Sequence, residues 1–291
     1  MIFSMRYFWR NNRQPGKPMS TVIRASSLPQ YSDCNRRHAA RLFPVLVAEN
    51  GYDLTDIPPS IGAIIGTATH EALGLVLTNR MTGAETPRDE WMARITESVS
   101  SGIADGVVWD DTTVSREAAE KQAARMALAV IQTIADDINP VAVECAFEAD
   151  IGDGFLLRGH LDVLEATSIG DFKTGTVQRA NQAQYGAYSL LARSNGHTVT
   201  TLREFYIKRA AASRPQPDPV VSEYSLKEAE RAAWETLNHI KASVTRFRET
   251  GDSWVFLPNP NSMMCSPNYC PAYGTNFCMA HKGKIFRETS R

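Results

Sequence analysis

The stretch that decides the fold is GHLDVLEATSIGDFKTG, residues 159–175. Apolar residues alternate along both halves, which predicts two strands joined by a short turn near 166–168. Two acids, Asp162 and Asp171, and the amine of Lys173 lie inside these strands. Alternation places Asp171 and Lys173 on one face, and pairing of the strands as a hairpin brings Asp162 close to Asp171. Buried charges are costly unless they are paired or bound to a metal, so the hairpin indicates a chemical site.

Two neighbouring carboxylates form a hard-oxygen site of the kind that binds Mg²⁺ or Mn²⁺. Such a metal lowers the pKa of a bound water and stabilises negative charge on a phosphate. Lys173 could orient that water or neutralise the developing charge. Taken alone, Asp171-x-Lys173 would equally suit a surface hairpin with exposed charges, so the surrounding residues decide the interpretation.

Three further features accompany the hairpin. Gly159 precedes Asp162 in the pattern Gly-x-x-Asp. Gln184 and Tyr188 follow with i,i+4 spacing, which places both on one face of a predicted helix. His70 lies upstream in a helix that begins after a glycine. Each feature is weak by itself, and the set is specific.

The remaining elements follow from periodicity and from turn and cap residues. Helices are predicted over 31–43, 66–77, 115–138, 179–195 and 225–250, and strands over 141–149, 155–166, 169–173 and 202–209. Ser32 or Asp33 is the expected N-cap of the first helix, and Ser225 with Glu228 forms a capping box. Residues 214–219 form a Pro-rich loop, and the tail from residue 258 is irregular. This order predicts one α/β domain with a mixed sheet and helical decorations.

Composition bounds the class of protein. The chain has 291 residues, of which 43% are hydrophobic and 22% charged, as in ordinary globular proteins. Its net charge of −1 excludes a global basic field, so a nucleic-acid enzyme of this kind would need local basic patches. No apolar run approaches the roughly 20 residues that span a bilayer, so no membrane partner is expected.

The N-terminal residues 1–19 lack the continuous apolar segment of a signal peptide. Pro15, Gly16 and Pro18 interrupt any ordered element, which predicts a flexible extension, or a segment upstream of a working start at Met19. The alternative is a basic, aromatic arm that contacts single-stranded nucleic acid. Residues 20–291 are then one domain. Without an export signal we expect a cytoplasmic, reducing setting, in which the five cysteines do not form a disulfide framework.

The set His70, Gly159-x-x-Asp162, Asp171-x-Lys173 and Gln184-x-x-x-Tyr188 resembles the PD-(D/E)XK nuclease superfamily. Its order and spacing are similar to the RecB-like exonucleases, including the CRISPR-associated ones, over about residues 27–278. The resemblance implies a restriction-endonuclease-like core, with a mixed central sheet flanked by helices, a helical N-terminal region and a cysteine-rich tail. Leu161 stands where the family pattern has proline, a substitution common in RecB-like members.

The resemblance also implies roles. The metal ligands are His70, Asp162, Asp171 and the backbone carbonyl of Phe172. Lys173 is the catalytic lysine, and Gln184 and Tyr188 align the substrate and lysine side of the pocket. Glu144 stands where this family often has an acid, but a solvated glutamate at a strand end is the preferred interpretation there.

Four of the five cysteines form a pattern, Cys34 far upstream and then Cys265-x4-Cys270-x7-Cys278. Thiolates gathered four at a time select zinc or an iron–sulfur cluster. The split of one and three resembles iron–sulfur RecB-like nucleases and implies a [4Fe-4S] cluster. Both gaps are two residues longer than the usual family spacing, so zinc stays open as the alternative, as do unligated thiols. Cys145 alternates with core residues and is expected to be a buried hydrophobe.

Basic residues near the proposed site could neutralise phosphates: Arg36, Arg37, Arg179, Lys208 and Arg209. Each also suits a solvated surface charge. No recognition helix or zinc-finger pattern is present, so we expect DNA binding that is largely independent of sequence.

The expected function is a metal-dependent DNA exonuclease in recombination, DNA repair, a phage system or CRISPR spacer acquisition, alone or with a protein partner. One alternative is a non-catalytic or partner-dependent DNA-end-binding subunit stabilised by an iron–sulfur or zinc site. Another is a zinc-stabilised binding protein in which the acidic hairpin is incidental. No Gly-x4-Gly-Lys-Ser/Thr motif occurs, so the chain does not itself couple ATP to unwinding.

Overall fold

A computed structural model describes residues 20–179, 181–211 and 213–280 of the chain. The predictions for residues 1–19 lie outside these residues. The helices are α1 (Leu28–Asp33), α2 (Asn35–Leu42), α3 (Pro44–Glu49), α4 (Ile61–Met81), α5 (Arg88–Ile103), α6 (Arg116–Thr133), α7 (Gln182–Ser194) and α8 (Leu226–Thr250). The strands are β1 (Thr21–Arg24), β2 (Pro140–Asp150), β3 (Phe155–Glu165), β4 (Ser168–Gly175), β5 (Thr201–Lys208) and β6 (Val220–Tyr224). Short 3₁₀ turns cover Ala25–Ser27, Ala135–Asp137 and Ser253–Val255.

The six strands form one mixed sheet in the order β1-β3-β4-β5-β6, with β2 added to β3. The pairs β1–β3 and β4–β5 are parallel, whereas β2–β3, β3–β4 and β5–β6 are antiparallel. Helices flank the sheet on both faces, so the expected α/β fold with a mixed central sheet is confirmed.

Two hydrophobic cores lie on opposite faces of this sheet. The first core packs α1, α2, α7 and α8 against it, and the Cys-rich tail joins this core through Cys270, Phe277 and Cys278. The second core packs α4, α5 and α6 against the other face, where Phe172 and Phe205 cover the sheet. Strands β4 and β5 are therefore buried on both faces, which explains their nearly continuous apolar sequence.

Helix α4 is long and apolar enough, by length and composition, to cross a membrane. The expectation that no apolar run approaches that length is therefore wrong. Just over half of its apolar window is buried inside the fold, against α5, α6 and the sheet. A helix that is apolar on most sides suits this central position in a core.

Several boundaries differ from those predicted. The helix expected over 31–43 is broken at Cys34, which is extended (φ −157°, ψ 106°) between α1 and α2, so neither Ser32 nor Asp33 is an N-cap. Strands β1 and β6 and helices α3 and α5 were not predicted. The edge strands are short, and their formation depends on partners far away in the sequence. The capping of α8 is as expected: the Ser225 hydroxyl accepts the Glu228 N–H, and Gly251 ends the helix with φ +64°.

Candidate active site

The site lies where β3 and β4 diverge. The two strands pair only at Val163 with Gly170 and Leu164 with Ile169. Beyond that point Asp162 Oδ2 accepts the backbone N–H of Phe172 at 2.7 Å, so a carboxylate bridges the fork. Asp162 and Asp171 are both buried, with 8% and 1% of their surface exposed. The hairpin thus brings the two acids to one fork, as predicted.

Lys173 lies beside Asp171, with Nζ 2.5 Å from Oδ2. Oδ2 is buried and has no hydrogen bond of good geometry within the described residues. Burial, reinforced by the charge of Asp162, raises the pKa of Asp171 to about 6 against the opposing effect of Lys173. Burial also disfavours the charged form of Lys173, but the charges of Asp171 and Asp162 outweigh it and raise the lysine pKa. A buried carboxylate of this kind supplies the hard oxygen ligand that divalent cations prefer.

A third acid, Glu144, and a histidine, His70, complete the fork from the other side. His70 Nδ1, on α4, lies 3.4 Å from Asp162 Oδ2. Ligand atoms of His70, Glu144 and Asp162 all lie within 4.8 Å of one another. Asp171 is not a member of this close group, although its charge acts on His70 and the charge of Asp162 acts on it. Imidazole nitrogen and carboxylate oxygen together suit a divalent metal such as Mn²⁺.

Glu144 is exposed, as expected of a solvated glutamate, but it lies beside the fork rather than at a strand end. Its backbone has φ +52°, the left-handed region that is rare outside glycine, although it lies in the middle of β2. A side chain at Gly74 of α4 would come within 3.1 Å of Glu144 Cγ, so this glycine makes room for it. Glu144 also accepts a bond from His160 Nε2 at 2.6 Å. Strain of this kind costs about 1–3 kcal/mol and concentrates at functional sites.

Helix α7 supplies the third side of the site. Gln184 Nε2 donates to Asp171 Oδ1 at 3.4 Å and to the Tyr188 hydroxyl at 2.6 Å, and both side chains are buried. The helix approaches β3 closely because Gly159 has no side chain. A Cβ there would lie 2.5 Å from Leu191 Cδ1 and 3.1 Å from the Tyr188 ring. The Gly-x-x-Asp pattern therefore combines a contact glycine with a site acid.

Comparison with protein families gives a match to the PD-(D/E)XK nuclease superfamily over residues 23–274. The chain belongs to the PD-(D/E)XK nuclease superfamily. It is similar to the crystal structure of a protein from Eubacterium rectale named "Putative exonuclease", with a TM-score of 0.51 and 10% identity over 79% of this chain and 82% of that one. A second structure, SSO0001, covers 82% of this chain and 83% of its own at 10% identity, but its TM-score is 0.31. At such identity the likeness concerns the fold. Curated protein sequences give no significant match.

Within this nuclease fold, a further buried acid was not predicted. Glu204 of β5 is fully buried and stands opposite Asp171 in the β4–β5 register. Its charge helps to raise the pKa of Lys173. The available signal was an acid in the otherwise strand-like LREFYIK, but only the register shows which face it occupies.

The predicted phosphate-binding residues have different environments. Arg36 is buried and donates to the carbonyls of Phe256 and Phe277, and buried Arg37 pairs with Asp33 at 2.8 Å. Arg209 pairs with Asp110 at 2.7 Å. Arg179 and Lys208 are exposed. Three of the five cations thus have internal partners that hold the fold together.

The structure brings the four patterned cysteines to one cavity. The cavity is lined by Cys34, Cys265, Cys270 and Cys278. All described cysteines are free. Their sulfur atoms are not grouped as tightly as the His70 ligand set, within the residues described. Burial raises the pKa of the Cys270 thiol to about 11, which opposes the thiolate form unless a cation stabilises it. Cys145 is half-buried against the first core, less enclosed than expected.

Proposed function

We propose that this chain is a divalent-metal-dependent deoxyribonuclease of the RecB-like branch that degrades DNA from its ends. The observation that carries the proposal is the fork at which Asp162, Asp171 and Lys173 meet inside a nuclease fold. Nucleases of this superfamily typically use Mg²⁺ or Mn²⁺, and the grouped ligand atoms of His70, Glu144 and Asp162 suit such a cation.

Each side chain at the fork then has a defined task. His70, Asp162 and Asp171, with the Phe172 carbonyl, would hold the metal, and Glu144 joins them from β2. The bound metal supplies an activated water and stabilises negative charge on the phosphate. Lys173, whose Nζ lies 2.5 Å from Asp171 Oδ2, would orient the water or neutralise the developing charge.

The two α7 residues act on this arrangement from the side. Gln184 fixes Asp171 by donating to Oδ1, and it fixes Tyr188 by donating to the hydroxyl. Both residues would thereby align the lysine side of the pocket. Because the two bonds come from one amide, loss of Gln184 would loosen both partners.

DNA would approach along the part of the sheet formed by β1, β2 and β3. A cavity of about 710 Å³ extends over β1, β2 and β3 from His160, which contacts Glu144. Arg24 and Arg158 line it as neighbours in the β1–β3 register, and Arg158 is paired with Glu148 of the same cavity. These cations, with exposed Arg179 and Lys208, would bind phosphates without reading base sequence.

The cysteine cavity would hold a [4Fe-4S] cluster or, as the alternative, zinc. Four free cysteines lining one cavity support this assignment. Residues 20–291 would then be one domain whose two ends are joined by the cluster. The free cysteines also agree with action in the cytoplasm, in recombination, repair, a phage system or CRISPR adaptation with a protein partner.

The decisive experiment measures cleavage of end-labelled single- and double-stranded DNA with Mg²⁺ or Mn²⁺ on anaerobically purified protein. Lys173→Ala is expected to lower the rate by about 100-fold or more, since it removes a preorganised positive charge from the reacting centre. Lys227→Ala, which removes an exposed lysine of α8, is the matched control and should cleave like the wild type.

The outcomes separate the candidate functions. Metal-dependent degradation from ends that is lost in Lys173→Ala supports the exonuclease. Cleavage that survives this substitution contradicts the assigned site. A wild type that binds DNA ends and does not cleave favours the end-binding subunit instead.

A further inference from the structure

Glu204 lies beside the proposed catalytic centre and belongs to none of the motifs that define it. It has 0% of its surface exposed and faces the same side of the sheet as Asp171, its register partner. A buried carboxylate is costly unless it is paired or well bonded. No basic side chain forms an ion pair with it within residues 20–179, 181–211 and 213–280. The hydrogen bonds of Glu204 therefore show which elements of the fold it connects.

Four neutral donors converge on this carboxylate. Gln178 Nε2 donates to Oε1 at 2.7 Å, and Asn181 Nδ2 donates to Oε2 at 3.3 Å. The hydroxyls of Tyr185 and Tyr224 also donate to Oε2, the latter at 3.3 Å. Three of these four donors belong to the connection from β4 to α7 or to the first turn of α7. Glu204 thus joins the start of α7 to the middle of the sheet.

Asn181 shows how directly the start of α7 depends on this carboxylate. It is the N-cap residue of α7, a position at which an asparagine side chain usually accepts a backbone N–H of the first turn. Here it makes no such cap bond, and its amide donates to Glu204 and to the Arg179 carbonyl instead. Gln184, which donates to Asp171, follows within the first turn of α7. The start of α7 is therefore fixed to β5 rather than capped by its own residue.

Tyr185 provides a second connection, to the lysine. Its ring packs on Tyr224 with centroids 4.7 Å apart, and Lys173 Nζ lies 6.0 Å above the Tyr185 ring. The hydroxyl at the far end of this ring is bonded to Glu204. The bond to Glu204 therefore restricts the position of the Tyr185 ring, which faces the Lys173 ammonium group.

We propose that Glu204 is a positioning residue for the nuclease reaction. It holds the β4–α7 connection and the Tyr185 ring in place, and through them the side chains of Asp171 and Lys173. The proposal rests on the proposed function, because it assigns Glu204 to the same site. Glu204 contacts neither the substrate nor the proposed metal ligands, so its loss should change turnover more than binding.

The test compares Glu204→Gln with Glu223→Gln, an exposed glutamate on the neighbouring strand β6. Glutamine keeps the shape of Glu204 and removes its charge, and its amide cannot accept from all four donors. At a temperature where circular dichroism shows a folded protein, kcat of Glu204→Gln should fall by about tenfold or more through misplacement of reacting groups. The KM for DNA and the Mn²⁺ concentration at half-maximal rate should match the control. Amide hydrogen exchange over residues 176–188 should become faster.

A kcat equal to that of Glu223→Gln, or unchanged exchange over 176–188, overturns the proposal. If Glu204→Gln does not fold, Tyr185→Phe decides, because it keeps the ring and removes one donor. It should lower kcat in the same direction, and wild-type kcat would overturn the proposal. If the wild type itself does not cleave DNA, the proposed function fails, while the exchange measurement still decides whether Glu204 anchors the start of α7.

Discussion

Asp162 and Asp171 meet at one fork, yet their pKa values move in opposite directions. Burial raises the pKa of both carboxyls, but His70 and Lys173 outweigh it at Asp162 and lower its pKa. At Asp171 burial prevails and the pKa rises to about 6. Asp162 is therefore ionised well below neutral pH, whereas Asp171 is readily protonated in mild acid. Neighbouring groups with divergent pKa values are a feature of catalytic sites.

At the residue scale, the motif residues were accessible from sequence because their order together resembles a known nuclease family. Strand alternation places Asp171 and Lys173 on one face, and helical spacing does the same for Gln184 and Tyr188. Glu144 and Glu204 were not accessible in this way. The position of Glu144 depends on a left-handed backbone, and that of Glu204 depends on the register of two strands.

His38 gives a pH prediction at this scale. It lies between the rings of Tyr31 and Phe43 with Nε2 3.1 Å from Ser27 Oγ. Burial, with a smaller effect of Arg37, lowers its pKa from 6.5 to about 4. As the pH falls, His38 is protonated in the unfolded chain at a higher pH than in the folded protein. The stability that neutral His38 contributes is therefore complete above pH 6.5 and is lost as the pH falls toward 4. The free energy of unfolding should fall by about 2–3 kcal/mol over this pH range.

The measurement is the free energy of unfolding in urea at a series of pH values. His38→Phe keeps a ring in the core and removes the titrating group, so its stability should change less between pH 6.5 and 4. His239→Gln, at an exposed position, should keep the wild-type slope. Equal slopes in wild type and His38→Phe would refute this account.

At the element scale, α7 is held by close contacts on two sides. Gly159 lets it approach β3, and Gly186 lets it approach α8. The sequence shows small residues at these two positions but does not show which elements meet there. Both contacts set the distance from α7 to the fork, because Gln184 lies on the same helix.

Gly186→Ala should destabilise the protein severely. A Cβ at this position would lie 1.9 Å from the Ala229 carbonyl oxygen, a backbone atom that cannot move aside. Overpacking of this kind should lower the free energy of unfolding by about 2 kcal/mol or more. Urea denaturation followed by circular dichroism measures it. Gly62→Ala in α4 is the control, because its Cβ would meet Arg209 at an ordinary 3.5 Å. A Gly186→Ala protein as stable as this control would contradict the predicted close contact of α7 and α8.

The cavity over β1, β2 and β3 gives a prediction about DNA binding. Arg24→Ala should weaken binding of single-stranded DNA and reduce the salt dependence of log K by about 0.7 per lost phosphate contact. Fluorescence anisotropy in the Lys173→Ala background separates binding from cleavage. Lys227→Ala, on the same background, should leave the salt slope unchanged. An unaltered slope in the Arg24 variant would place the DNA elsewhere.

At the scale of the whole molecule, the tail packs against the N-terminal helices. Arg36 of α2 donates to carbonyls of Phe256 and Phe277, and Cys34 Sγ accepts the Asn259 N–H at 3.3 Å. Phe277 lies in the first core with Phe247 of α8. A cluster held by Cys34 and the tail would therefore strengthen an interface that protein contacts already form.

Cys270→Ala tests that cluster. We expect a lower melting temperature and loss of bound metal, because metal binding contributes to folding. Cys145→Ala, outside the cavity, is the control. Metal analysis of anaerobically purified protein identifies iron with sulfide or zinc. Metal content and melting temperature equal to those of Cys145→Ala would exclude a structural cluster at this cavity.

The sequence by itself determined the strands β2 to β5 and the existence of the helices α4, α6, α7 and α8. These follow from local periodicity, capping and spacing, which act within a few residues. Tertiary structure alone decided the divergence of β3 and β4, the left-handed Glu144 beside His70, the burial of Glu204 opposite Asp171, and the extended Cys34 facing the tail. These features depend on contacts between residues far apart in the chain, and no local pattern carries that information.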